Sequence, residues 1–114
     1  MGSAMPQLYD VILTSRARRD LIDIGDYIAY TLSVPAVALD FVEDMMNSIM
    51  ALNKMPERYA LVNDEVLAER GIRCMPYKNY YVFYKVLHSN YCVNVLRIGY
   101  NRKNWKEILR GGIE

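Results

Sequence analysis

Apolar residues recur along this chain with two different periods. LYDVIL (8–13) reads as a first strand, rich in branched and aromatic residues. From Arg16 to about Leu32 the period becomes helical: Ala17, Leu21, Ile24, Ile28 and Leu32 form one stripe, and Ser15 stands where a capping hydroxyl is expected. TLSVPAV interrupts that stripe. Ser33 sits in a second cap position, and Pro35 suits the first turn of a second helix reaching about Lys54, with Ala38, Phe41, Met45, Ile49 and Leu52 on one face. Two amphipathic helices joined by so short a turn make a helical hairpin.

Pro56 ends the second helix, and 57–71 reads as a loop with at most one short helical turn. Strand-like runs return at IRCM (72–75), YYVFYKVL (80–87) and YCVNVLRIG (91–99), the last two joined by the turn residues HSN. A short helix is expected around Ile108 and Leu109. The order is β-α-α-β-β-β with a short C-terminal helix. This is an α+β fold in which the helical hairpin covers one face of a mainly antiparallel four-stranded sheet.

Strand parity sorts the remaining side chains. Tyr80, Val82, Tyr84 and Val86 share one face, and Tyr81, Phe83 and Lys85 the other; Cys92, Leu96 and Ile98 alternate with Val93, Val95, Arg97 and Gly99. A charge against the helical layer is costly unless paired. Arg73, Lys85 and Arg97 are therefore expected on an uncovered face with Tyr81 and Phe83, next to the turn of Arg102, Lys103 and Trp105. Cations that meet phosphates and rings that stack on bases are the tools of RNA recognition. Alternatively, Tyr81 and Phe83 complete a second small core under a loop. Trp105 has the same two readings, an anchor for the last helix or a stacking platform.

Composition narrows the class. The 114 residues are 53% apolar and 24% charged, as in an ordinary globular domain. A single domain is expected over 6–114, with MGSAM (1–5) an expression remnant. No secretory signal is visible, and no apolar run nears the roughly 18 residues that span a bilayer, so a cytoplasmic protein without a membrane partner is expected. Cys74 and Cys92 lack metal-type spacing and read as reduced core thiols. The net charge of +1 conceals an asymmetry: residues 1–70 carry 6 Lys/Arg against 11 Asp/Glu, net −5, while 71–114 carry 8 against 2, net +6. A basic C-terminal part suits a polyanion or an acidic protein segment.

The usual catalytic groupings are missing. His88 is the lone histidine, in the hairpin turn; no Cys/His/carboxylate set has metal-site spacing, and the glycines form no phosphate loop. No cofactor or metal is expected. What remains is tyrosine with arginine and lysine. Cations can stabilise a phosphorane, but a tyrosine of pKa near 10 is a poor base unless neighbouring charge lowers it.

Four pieces carry a family resemblance: YDVILTSRARRDLIDIGDYI, LNKMPERYALVND, GIRCMPYKNYYVFYKV and VNVLRIGYNRKNWKEIL, spanning about Tyr9 to Leu109. Together they resemble the RelE/ParE family of bacterial toxins from two-component toxin–antitoxin systems. The resemblance implies a toxin that arrests growth and is neutralised by a cognate antitoxin. RelE-like members cut mRNA in the ribosomal A site, and ParE-like members poison DNA gyrase. Arg73 matches a basic position of the second strand, and Tyr100 the tyrosine of the nucleases. Arg102 and Lys103 stand where many members keep cations. Tyr81 occupies a position that is usually Arg in the nucleases, and Gly99 one that is a catalytic His in some.

Three readings follow, the first favoured at the level of sequence and the other two its alternatives. In a ribosome-dependent mRNA endoribonuclease, Arg73, Tyr81, Tyr100 and Arg102 are the catalytic candidates, with Lys78, Lys85, Arg97, Lys103 and Lys106 holding the nucleic acid. In a gyrase poison no chemistry is needed. In an inert toxin fold only binding remains.

Overall fold

The computed structural model describes residues 6–112; residues 1–5, on which the expectation of an expression remnant falls, and the last two residues lie outside them. Strand β1 (Asp10–Leu13) leads into helices α1 (Ser15–Leu32) and α2 (Pro35–Met50). The short helix α3 (Glu65–Glu69) follows, then β2 (Ile72–Tyr77), β3 (Tyr80–Leu87), β4 (Cys92–Tyr100) and α4 (Trp105–Arg110). The sheet order is β1-β4-β3-β2. β2–β3 and β3–β4 are antiparallel, whereas β1 runs parallel to β4 from Asp10↔Cys92 to Leu13↔Val95, so the sheet is mixed.

Both expected caps are displaced. Thr14 caps α1, its Oγ1 accepting the Ala17 N–H at 3.0 Å and donating to the Leu96 carbonyl at 3.1 Å. A capping residue must still be extended, as Thr14 is at the end of the strand, while Ser15 is already helical. Ser33 closes α1 rather than opening α2: it takes the left-handed conformation (φ 56°) and donates its N–H to the Ala29 carbonyl. Val34 stands at the N-cap of α2 without a side-chain hydrogen bond, and Pro35 opens the first turn. Gly25 lets the helices approach, since a β-carbon there would lie 3.1 Å from Val42 Cγ2.

The hairpin buries Ala17, Ile24, Met45 and Ile49 against Met75, Val82, Tyr84, Val93, Val95 and Ile98. Tyr84 Oη donates to the Pro56 carbonyl at 2.6 Å, and burial pushes this phenol up to about 12.

The opposite face is covered as well, which corrects the expectation of an open one. Leu67, Ile72, Phe83, Trp105 and Leu109 form a second core beneath α3 and α4, with Tyr81 and Leu96 packed at its margin. Asp64 ties the two covering helices together. It caps α3 through the Leu67 N–H at 3.0 Å and accepts Arg110 Nη2 at 2.6 Å. The Leu67 N–H, then Arg110, hold its carboxyl below the usual range.

Parity fails at one place. The β3–β4 register shifts between Phe83, opposite Arg97, and Tyr84, opposite Val95, leaving Leu96 as an extra residue. This bulge reverses the alternation. Val93 and Val95 therefore join Ile98 in the hairpin core, while Leu96 turns to the second core. Arg73 is also reassigned: it stands opposite Tyr84 and reaches the 57–59 loop, where Nη1 donates to the Tyr59 carbonyl at 2.7 Å.

β1 pairs with only the first part of β4. Past Val95, α1 takes over the free edge. Asp20 Oδ2 accepts the Ile98 N–H at 2.9 Å and Arg97 Nε at 2.8 Å, and Oδ1 accepts Arg97 Nη2 at 3.2 Å. The Arg97 guanidinium also lies 5.6 Å from the Trp105 ring centroid. Trp105 lies against Gly99, where a β-carbon would meet its ring at 2.5 Å.

Asp20→Ala strands a nearly buried guanidinium and a strand N–H; we expect about 3–5 kcal/mol lost in denaturant unfolding, and a loss under about 1 kcal/mol would contradict this role. Gly99→Ala should cost about 1–3 kcal/mol by forcing Trp105 outward, with a red-shifted tryptophan emission as the second readout. Burial pushes the Cys74 thiol up to about 11 and raises that of Cys92 as well. Both cysteines are free. Alkylation of the folded protein near neutral pH should be slow and accelerate on unfolding.

Candidate functional site

The nine residues expected to carry chemistry divide into two groups. Tyr81, Arg97, Tyr100, Arg102, Lys103 and Lys106 are gathered by the end of β4 and the start of α4. Arg73, Lys78 and Lys85 are not part of this cluster.

Within the cluster, Trp105 is the centre. It is buried against Phe83, with ring centroids 5.0 Å apart, and its Nε1–H donates to the Tyr100 carbonyl at 2.6 Å. That bond folds the 101–104 turn back on the strand, so Arg102 and Lys103 project from a fixed turn and Lys106 from the first turn of α4, all exposed. Lys103 Nζ lies 5.8 Å from the Trp105 centroid. Trp105 is thus the anchor of its helix and not a free platform for bases.

Two grooves flank this turn. One, about 370 Å³, is lined by Leu61, Val62, Pro76, Tyr81, Trp105 and Lys106, an apolar channel with one cation at its rim. Tyr81 is half-buried there, edge-on to Phe83 at 5.8 Å. The other groove, on the α1 side, carries Tyr100 and Lys103. Arg97 is spoken for by Asp20, with 11% of its side chain exposed. The position that resemblance links to a catalytic His in some relatives is Gly99, and the contact with Trp105 explains why no side chain fits.

The residues outside the cluster have local partners. Lys78, in a left-handed turn (φ 51°), lies over Phe41 at 5.2 Å and Tyr77 at 5.7 Å. The stem of Lys85 runs past Gly71. Arg73 donates to the Glu57 and Tyr59 carbonyls and pairs with the Glu57 carboxylate at 3.4 Å.

Sequence reasoning missed what surrounds that last pair. His88 Nε2 lies 2.8 Å from Glu57 Oε2 and its Nδ1 2.9 Å from Tyr9 Oη. An ionised carboxylate only accepts, so the Nε2–H donates to Glu57. This bond, aided by Arg73, holds the Glu57 carboxyl below its usual range. Tyr9 and His88 are 79 positions apart. Only the parallel pairing of β1 with β4 brings them together, and no local pattern signals it.

Among the described residues, no group of three or more His, Cys, Asp or Glu is placed to hold a metal ion, and no helix is long and apolar enough to cross a membrane.

A family model described as the ParE toxin of the type II toxin–antitoxin system parDE matches residues 11–105. Among solved structures, the chain resembles one of the chromosomal ParDE toxin–antitoxin system from P. aeruginosa, with 23% identity, a TM-score of 0.68, and coverage of 82% of this chain and 97% of that one. It also resembles one of the toxin–antitoxin complex RelBE2 from Mycobacterium tuberculosis, with 22% identity, a TM-score of 0.54, and coverage of 84% and 94%. No curated protein sequence matches. At these identities the two structures support the fold, while the family match takes in β1 from Val11, the other three strands, both long helices and Trp105. The chain belongs to the ParE family of type II toxin–antitoxin toxins.

Proposed function

We propose that this toxin arrests growth as a non-enzymatic inhibitor of DNA gyrase, held in check by a cognate antitoxin. The observation that carries this reading is the engagement of two sheet cations, the catalytic candidate Arg73 and the nucleic-acid-binding candidate Arg97. Arg97 neutralises Asp20, and Arg73 fastens the 57–59 loop. Cleavage of RNA needs a base at the 2′-hydroxyl and free positive charge at the phosphorus, mutually positioned. Tyr81 and Tyr100 line separate grooves, one on each side of Trp105. The exposed Arg102, Lys103 and Lys106 form a basic rim suited to binding an acidic protein surface, where charge governs encounter more than final affinity. Both matched structures are described as toxin–antitoxin systems or complexes, which supports an antitoxin partner here.

The mRNA endoribonuclease reading keeps one supporting observation: a phenol and an ammonium, Tyr100 and Lys103, are both exposed on one groove.

The purified chain should produce gyrase-dependent DNA breaks and leave ribosome-bound mRNA intact. Replacing Arg102, Lys103 and Lys106 together by Ala should weaken gyrase inhibition about tenfold or more, most visibly at low salt. Cleaved mRNA with unaffected gyrase would establish the endoribonuclease reading instead. Co-expression with the product of the adjoining reading frame should restore growth.

A further inference from the structure

The groove on the α1 side also holds a carboxylate and two tyrosines, Asp23, Tyr27 and Tyr80, that neither toxin reading uses. It is about 650 Å³, with Ile24, Ile98 and Gly99 contributing apolar surface. Its other lining residues include Asp23, Tyr27, Tyr80 and Tyr100. Asp20, Asp23 and Tyr27 follow one another at helical spacing, so α1 presents them on a single face. Tyr80 and Tyr100 meet edge to face with centroids 6.0 Å apart, and Phe41 braces Tyr80 at 5.6 Å. Tyr27 is 65% and Tyr100 42% exposed, leaving aromatic surface open to a ligand. The raised pKa of Tyr80, caused first by burial and then by the nearby Tyr27 and Tyr100, agrees with three phenols sharing one space.

The two carboxylates differ. Asp20 is saturated by Arg97 and the Ile98 N–H. Asp23 makes no ion pair among the described residues. The nearest lining cation, Lys103, directs its ammonium toward the Trp105 ring.

We propose that this groove receives the guanidinium of an arginine side chain from a partner polypeptide, stacked on the tyrosine rings and paired with Asp23. Aromatic faces attract a cation through their quadrupoles, and a carboxylate at the wall supplies the counter-charge. A phosphate would face Asp23 with the wrong sign. A purely apolar side chain would desolvate Asp23 and the phenol hydroxyls without replacing their hydrogen bonds. Guanidinium suits the space better than ammonium, because it is flat enough to stack and can pair bidentately with a carboxylate. The basic rim and this cation-accepting groove adjoin each other through Lys103, so one partner could present both an acidic patch and an arginine.

The test is an NMR titration of the full chain with Nα-acetyl-arginine amide, using Nα-acetyl-citrulline amide as the neutral near-isostere and AMP as the anionic, stacking control. Saturable shifts are expected at the amides of Tyr27, Gly99 and Tyr100, with a Kd of about 1–10 mM. Citrulline amide should bind about tenfold more weakly, and Asp23→Asn and Tyr27→Ala should each weaken the arginine probe about five- to tenfold. Both substituted residues are exposed, and unchanged melting of the variants separates lost binding from lost fold. Absence of saturation at these amides, equal binding of the citrulline probe, or preference for AMP would each overturn the proposal.

Discussion

A nine-residue strand that is paired along only part of one edge must dispose of the rest of that edge, and the architecture is organised around how β4 does so. β1 stops at Leu13 because Thr14 turns the chain into α1. That helix then brings Asp20 down to the Ile98 N–H. A carboxylate in so dry a place requires a counter-charge, and Arg97 supplies it in two bonds. The guanidinium's remaining surface meets Trp105. One chain of contacts, Asp20 to Arg97 to Trp105, therefore runs from the helical hairpin, past the sheet edge, to the layer on the other face. The positions of α1, β4 and α4 are fixed relative to one another by it.

The same contacts shape what the surface can do. Because Arg97 and Arg73 serve architecture, the free positive charge is displaced to the turn after β4 and the start of α4. Trp105 occupies the space above Gly99, so the end of β4 offers its partners grooves on either side rather than one open sheet face. One groove is apolar with a basic rim; the other combines phenols with a carboxylate. Such neighbouring surfaces of unlike character favour recognition of a particular partner over general attraction to polyanions.

The order of elements, the helical hairpin, the β3–β4 hairpin and the short last helix were legible in the sequence, since each rests on local periodicity and on turn residues such as Pro35 and Pro56. The mixed character of the sheet was not, because which edge β1 joins depends on the path of everything between it and β4. The caps slipped by one residue or changed helix, since a hydroxyl's role depends on whether its own backbone is extended, helical or left-handed. At the candidate site, six of the nine named residues are brought together, and three are held elsewhere by partners that no spacing rule reveals.

The sequence by itself determined that this is a small α+β domain with two amphipathic helices, a strand-rich basic half and a short final helix. Those features follow from side-chain period and composition, which are properties of neighbouring residues. Tertiary structure alone decided that the second sheet face is closed, that the bulge at Leu96 exchanges which residues face each core, and that Tyr9, Glu57, Arg73 and His88 form one network. It also decided which charges are spent. A cation's availability is set by the carboxylate or carbonyl that folding brings to it, and for Arg97 that partner lies 77 residues away along the chain.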